Sequence, residues 1–290
     1  MKFDKNTKIL IVGLGLIGGS YAKALSDEGY FVGAIDKKKS SVEYALKNGL
    51  IQVGETSVKK DFVKDFDLIV FALYPHDFIN WIKEYQSSIK SGALITDVTG
   101  VKSFVVENVQ KILRGDLEFV GAHPMAGKEV SGVENADPKI FVGANYIVTP
   151  TKRNTDENVQ AVKDLGRALG FERISSLSPE EHDETVGFLS HLTHCIAVSL
   201  MVSKKSHHLA EYTGDSFRDL TRIAKINDEM WSELFLANKD ELLKQMDLFE
   251  EKFNQLKEDI KNDNREKIRE TLRESTARRK VFDKDAKETK

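Results

Sequence analysis

Short apolar runs bounded by glycine or charged residues recur through the first part of the chain, and runs of that length suit strands covered on both faces. Lys8–Val12 is the first, followed at once by glycines and by the helix-like SYAKALSDEG, whose Gly29 suits a C-cap. The pattern predicts a second strand over residues 30–35 and a helix over 42–47. Further strands are expected over 67–73, 93–97, 117–121 and 145–148. Such alternation predicts an α/β fold, a mostly parallel Rossmann-type sheet with helices on both faces. A helix over 155–170 follows, FERISSL adds an edge strand, and SPEE opens a new helix with Ser178 as N-cap and Glu181 closing a capping box.

Beyond that point no strand pattern recurs, which places a domain boundary at Leu177: a Rossmann-type domain over 1–177 and an all-helical domain over 178–290. Residues 186–202 are apolar on most faces, as for a helix buried at a domain or subunit core. From Leu242 onward, Met246, Phe249, Phe253, Leu256 and Ile260 alternate steps of four and three, the spacing of a helix seam. A small helical domain rarely covers such a seam alone, so a homodimer through the C-terminal helices is expected. The charge-dense tail from Asn262 reads as a solvated helix.

Composition narrows the partners. At 290 residues, 40% hydrophobic and 31% charged, the chain has the make-up of an ordinary two-domain globular protein. A net charge of -3 excludes a global basic field for nucleic acid. The single cysteine, Cys195, excludes an intramolecular disulfide and points to a reducing, cytoplasmic setting. Neither a signal-peptide pattern nor a run of ~20 wholly apolar residues is seen, so no membrane is expected.

Gly13, Gly15 and Gly18 form GxGxxG at the first strand-to-helix junction, the arrangement that brings a pyrophosphate to a helix N-terminus. Asp36 ends the second strand, 18 residues beyond the last glycine, where a carboxylate hydrogen-bonds a ribose 2′-hydroxyl and repels a 2′-phosphate. Lys37, Lys38 and Lys39 could receive a 2′-phosphate, but the carboxylate at the strand end favours NAD as cofactor. Leu14, Ile17 and Leu73 complete the expected cofactor contacts. His182, His191 and His194 are the alternative as metal ligands, but no HExxH or cysteine cluster supports them, so no metal is expected.

Three polar segments interrupt apolar or glycine-rich surroundings: TDVTGVK at 96–102, GAHPMAGKEVSG at 121–132 and FRDLTRIA at 217–224. With SHLTH at 190–194 and Met230-Trp231, they resemble the motifs of the prephenate and arogenate dehydrogenase family. That resemblance implies that His123 lies beside the substrate's ring hydroxyl and accepts its proton, a task suited to a neutral imidazole. It implies that Arg222 binds the ring carboxylate, that His194 is a second active-site histidine, and that Trp231 closes the pocket. His191, one turn from His194, is placed with the substrate. Arg218 either assists Arg222 or sits in a surface ion pair. The reaction implied is oxidation of prephenate to 4-hydroxyphenylpyruvate with loss of carbon dioxide, or the equivalent reaction of arogenate.

The chain departs from the family pattern in four places. Thr99-Gly100 stands where Gly-Ser is usual, and the family serine helps orient the histidine or the substrate hydroxyl. Thr99 either supplies that hydroxyl or caps the following helix. Lys128 replaces a small hydroxyl residue and is expected to attract a dianionic substrate. Thr193 and the stretch NDEMW each lack a proline. Longer relatives carry a regulatory ACT domain, and this chain is expected to hold none. A hydroxy acid dehydrogenase and a catalytically inert NAD-binding scaffold are the competing readings; the first lacks these motifs, and the retained His123, His194 and Arg222 count against the second.

Overall fold

Ile9, Leu10, Ile11 and Val12 are all buried, and the same holds for Leu68 to Phe71 and Leu94 to Asp97, so the centre of the first sheet is covered on both faces. The computed structural model describes residues 1–205 and 208–282. Its first layer is β1 (Lys8–Val12), α1 (Leu16–Asp27), β2 (Phe31–Ile35), α2 (Lys39–Lys47), β3 (Val53–Glu55), α3 (Lys60–Val63), β4 (Leu68–Phe71), α4 (Pro75–Tyr85), β5 (Leu94–Asp97), α5 (Ser103–Ile112) and β6 (Glu118–Phe119). All pairings are parallel, in the order β3-β2-β1-β4-β5-β6. In this doubly wound arrangement the ligand crevice lies beyond the C-terminal ends of β1 and β4, where the strand order reverses. Gly29, at φ +80°, ends α1 as its position predicts.

The expected single sheet is in fact two. The run 117–121 splits: β6 closes the first sheet, and β7 (Gly121–Pro124) opens a second with β8 (Asn145–Thr149) and, after α6 (Asp156–Ala168), β9 (Arg173–Ser176). β7 pairs with β8 antiparallel and β8 with β9 parallel. Gly121 marks the junction, because a Cβ there would lie 2.5 Å from Thr149 Oγ1. β3 went unforeseen, since VGE is short and only half-buried.

A buried carboxylate stitches the two sheets together. Asp97, at the end of β5, accepts from Ala122 N of β7 at 3.0 Å through Oδ1. Its Oδ2 accepts from Lys102 Nζ at 2.6 Å, from Thr99 N at 3.0 Å and from the Thr99 hydroxyl. Asp97 and Lys102 are both 0% exposed. Burial pulls the Lys102 ammonium below its usual range, and Asp97 opposes that pull.

No strand follows Ser176 among the described residues. α7 (Pro179–Val186) starts with the expected capping box: the Ser178 hydroxyl accepts from Glu181 N at 3.1 Å, and the Glu181 carboxylate accepts from Ser178 N at 2.8 Å. The helix expected over 186–202 is interrupted by a π-helical turn (Gly187–Leu192) before α8 (Thr193–Val202) resumes. Thr193 donates to Ser190 O at 2.7 Å at the join. By length and composition Pro179–Val202 could cross a bilayer. It buries His182, Asp183 and His191 in hydrogen bonds to protein groups, however, the pattern of a helix in a protein core.

α9 (Asp215–Thr221), α10 (Asp228–Ala237), α11 (Lys239–Lys261) and α12 (Arg265–Arg279) complete the described elements. By compactness the chain divides into Met1–Lys239 and Asp240–Lys290, whereas the boundary expected at Leu177 separates α/β from helical sequence. On α11, Met246, Phe249, Phe253 and Ile260 are 38% to 58% exposed, an apolar seam in want of a partner.

Lys102→Met is expected to destabilise the protein by ~3–5 kcal/mol, because it leaves the Asp97 carboxylate buried without its countercharge. Thr99→Val should cost ~1–3 kcal/mol through the lost hydroxyl contacts, and Thr99→Ser should be nearly neutral. Urea melts of the three variants check the order, and a Lys102→Met midpoint equal to wild type would contradict it.

Candidate active site

The β1–α1 turn divides its glycines by task. Gly13 has φ +99°, and a Cβ there would lie 2.4 Å from Ala72 O. A Cβ on Gly18 would lie 1.9 Å from Gly13 O, so only glycine lets α1 approach the turn. Around Gly15, by contrast, a Cβ would meet nothing within 4 Å, which leaves the open approach a pyrophosphate needs. Asp36 stands at the end of β2 with both carboxylate oxygens held by backbone: Oδ2 accepts from Leu14 N at 2.6 Å and Oδ1 from Lys38 N at 2.7 Å. Each oxygen keeps a lone pair for a ribose hydroxyl. Leu73 sits beside Gly13, Ile17 packs against the core from α1, and Leu14 is buried. These residues fit a dinucleotide with an unphosphorylated ribose.

His123 projects from β7, partly buried, and its Nδ1 lies 2.9 Å from Nε2 of His182 on α7. His182 is 0% exposed, and its Nδ1 lies 2.8 Å from Asp183 Oδ1. Asp183 in turn accepts from Lys102 N and Ser103 N, each at 2.8 Å, at the start of α5. Burial, with help from His182, Lys102 and His191, pushes His123 well below the 6.5 of a free imidazole. Burial likewise lowers His182, against the pull of Asp183. It opposes the Asp183 carboxylate too, yet the His182 contact and the two backbone N–H groups hold that group below its usual range. Sequence reasoning reaches His182 only as a metal-ligand alternative and does not reach Asp183. The HD pair inside a capping-box helix was the available signal, and only tertiary closure brings it to His123.

Thr99 does not reach His123. Its hydroxyl donates to Asp97 and lies 3.0 Å from both Val101 O and Lys102 Nζ, so the expectation that it replaces the family serine is corrected. The buried charge pair captures the hydroxyl more strongly than a neutral ring would. Nor does Thr99 cap the helix: α5 has Lys102 at its N-cap, and the Asp183 carboxylate takes the helix's first amides. The residue against the His123 ring is Gly100, whose Cβ would lie 3.9 Å from Cε1.

Of the two remaining histidines, His191 lies in the π-helical turn and His194 in the first turn of α8. His191 is 1% exposed, with Nδ1 3.3 Å from Asn238 Nδ2, and burial lowers it to about 4. His194 stacks on Trp231 at 3.7 Å between ring centroids, and Trp231 meets His191 edge-on at 6.0 Å. Arg222 pairs with Glu129 of the loop after β7, and both charges act on His194, so these three share one neighbourhood. Arg218 instead pairs with Asp215 at 2.7 Å and donates to Thr213 O at 3.1 Å, the surface-pair alternative. Lys128 is held by Asp137 at 3.0 Å, a partner that competes with any substrate anion.

Comparison with known proteins agrees with this geometry. Residues 21–173 match the family described as prephenate dehydrogenase, nucleotide-binding domain, and residues 178–274 match prephenate dehydrogenase, dimerization domain. A prephenate dehydrogenase of Bacillus subtilis is 34% identical over 249 residues, covering 82% of this chain and 66% of that protein. The crystal structure of prephenate dehydrogenase from A. aeolicus, in complex with hydroxyphenyl propionate and NAD+, superposes with a TM-score of 0.87 at 34% identity. The match covers 96% of this chain and 98% of that one. A Synechocystis arogenate dehydrogenase follows at a TM-score of 0.82 and 25% identity, covering 96% and 100% of the two chains. Matched through both its α/β and its helical parts, the chain belongs to the prephenate dehydrogenase family.

Proposed function

We propose that this protein is an NAD-dependent prephenate dehydrogenase that converts prephenate to 4-hydroxyphenylpyruvate and carbon dioxide. The observation that carries this reading is His123, an imidazole held neutral among buried groups beside Gly100, with the Arg222 guanidinium in the same neighbourhood as His194. NAD+, when bound along the Gly13–Gly18 turn with its ribose at Asp36, supplies the hydride acceptor.

The protein's own groups govern the rest. His123 takes the proton of the ring hydroxyl as the carbinol carbon gives up its hydride. The ring carboxylate then departs as carbon dioxide, and its electron pair enters the ring, which becomes aromatic. The phenolate oxygen so formed recovers the proton from His123, which returns to its starting state. Arg222 holds the ring carboxylate after exchanging Glu129 for it, and its planar fork suits that group. The stacked His194 and Trp231 form a wall of the pocket.

The helical part pairs two copies. Phe188, Leu189, Leu200, Met201 and Val202 are exposed on the helices that follow Ser178, and the α11 seam is exposed as well, within a stretch that matches a dimerization domain. A single cysteine, half-buried Cys195, suits a reducing cytoplasm.

Assayed in parallel, prephenate should give a higher kcat/KM than arogenate; the reverse order would make arogenate the substrate. His123→Asn should lower turnover ~100-fold or more while NAD still binds. Because its folded pKa is depressed, His123 remains neutral and active down through 6.5, so kcat/KM should fall only at more acidic pH. An acid limb centred above 6.5 would exclude His123 as the base. Arg222→Gln should mainly raise the Michaelis constant, and an unchanged constant would remove Arg222 from substrate binding.

A further inference from the structure

His123 has two ring nitrogens, and which one carries the proton decides whether the residue can act as a base toward substrate. The neighbours fix the answer. Asp183 offers only acceptor oxygens, since both are already engaged by N–H donors from Lys102 and Ser103 at 2.8 Å. His182 must therefore present Nδ1–H to Asp183 Oδ1, 2.8 Å away. A neutral imidazole that donates through Nδ1 has a bare lone pair at Nε2, and that atom lies 2.9 Å from His123 Nδ1. His123 Nδ1 must then be the donor. Its Nε2, which meets no protein hydrogen-bond partner among the described residues, is left with the free lone pair.

We propose that His182 and Asp183 are positioning residues, a chain Asp183···His182···His123 that locks His123 in the Nδ1–H tautomer and aims Nε2 at the substrate hydroxyl. The proposal rests on His123 as the proton acceptor and names what prepares it for that role. Every link is anchored. Asp183 is pinned to the first amides of α5, His182 is wholly buried on α7, and His123 lies on β7 in register with Ile147. Three separate elements therefore converge on one proton position, and a proton acceptor fixed in advance loses nothing to reorientation during reaction. When His123 takes the substrate proton at Nε2, it becomes an imidazolium whose charge faces Asp183 through the chain. That arrangement stabilises the transition state without moving a second proton.

The charge state of His182 matters, because an imidazolium there would donate to His123 Nδ1 and reverse the tautomer. Burial keeps His182 below the free-imidazole range although Asp183 opposes it. The groups facing the pair are Lys102 at the start of α5, Asp97 at the end of β5 and His191 on the π-helical turn. Lys102 and His191 both disfavour a positive charge on His123 in the free enzyme.

The experiment uses the whole protein, with nitrogen-15 NMR of the imidazoles and steady-state kinetics on wild type, His182→Gln and His182→Leu. Glutamine keeps the pattern, since Asp183 draws its amide N–H and leaves its carbonyl oxygen to accept from His123. Leucine supplies no acceptor. The expected result is the Nδ1–H tautomer at His123 in wild type and in His182→Gln, with most turnover retained in the latter. In His182→Leu the Nε2–H form should appear, and turnover should drop ~10- to 100-fold at unchanged NAD affinity. A wild-type His123 protonated at Nε2 would overturn the proposal, whatever the variants do. So would a folded His182→Leu with wild-type tautomer and turnover. Full activity in His123→Asn would instead overturn the proton-acceptor reading itself, while the NMR tautomer would still report on the chain.

Discussion

A single buried carboxylate sets the geometry from which the site is built. Asp97 is removed from water at the end of β5, and a charge in that position persists only if it is paired and fully hydrogen-bonded. Its partners come from three places: Lys102 just before α5, Thr99 in the intervening loop and the Ala122 amide of β7. The Ala122 contact determines how the second sheet meets the first, because the residue after Ala122 is His123. Desolvation therefore leaves little freedom in the placement of the strand that carries His123. Moving β7 by one hydrogen bond would leave Oδ1 of a buried carboxylate without its donor.

The same loop carries the constraint outward. Lys102 gives its side chain to Asp97 and its backbone amide to Asp183, so the start of α5 lies between the buried ion pair and the histidine chain. The helical segment after Ser178 is thereby tied to the α/β layer by polar contacts whose loss would expose unsatisfied groups. Further along that segment, the π-helical turn alters the helix phase between His182 and His194. An unbroken α-helix would put His191 and His194 one turn apart on one face. In this structure His191 is sealed against Asn238 and meets Trp231 edge-on, while His194 stacks on Trp231, near Arg222 and Glu129. Wide turns of this kind occur often at functional sites, and here the turn carries the buried His191 and precedes the half-buried His194.

Much of this was legible in residue order. GxGxxG, the strand ends and Asp36 follow from local steric and hydrogen-bonding rules, and the turn uses Gly13, Gly15 and Gly18 as those rules require. The capping box at Ser178 was equally local. What escaped depends on distance in space. The split at Val120 adds no periodic signal, because the residues from Leu117 to Gly121 read as one short run and β6 and β7 are only two and four residues long. His182 and Asp183 carry no motif of their own and acquire meaning only when α7 packs beside β7. Thr99 was misplaced for a related reason: spacing puts a hydroxyl in the right loop but does not say whether a neutral ring or a buried ion pair claims it. Lys128 shows the same limit, taken by Asp137 across the loop after β7, whereas Arg218 takes Asp215 one turn earlier on its own helix, the surface pair that the sequence already offered.

Gly100 shows how the family pattern and this chain's geometry fit together. A Cβ at this position would make only ordinary contacts, 3.4 Å to Leu234 and 3.9 Å to His123 Cε1, and the backbone is not in a region reserved for glycine. Steric exclusion therefore does not explain the missing hydroxyl, and a serine would be accommodated with its oxygen near the His123 ring. Since nothing on that side of His123 donates or accepts, the ring cannot take its orientation from the Gly100 loop, and Thr99 is committed to Asp97. Orientation must come from the opposite edge, where His182 meets Nδ1. Nε2 meets no protein hydrogen-bond partner among the described residues, and without a serine at position 100 no side-chain hydroxyl stands there to donate to its lone pair.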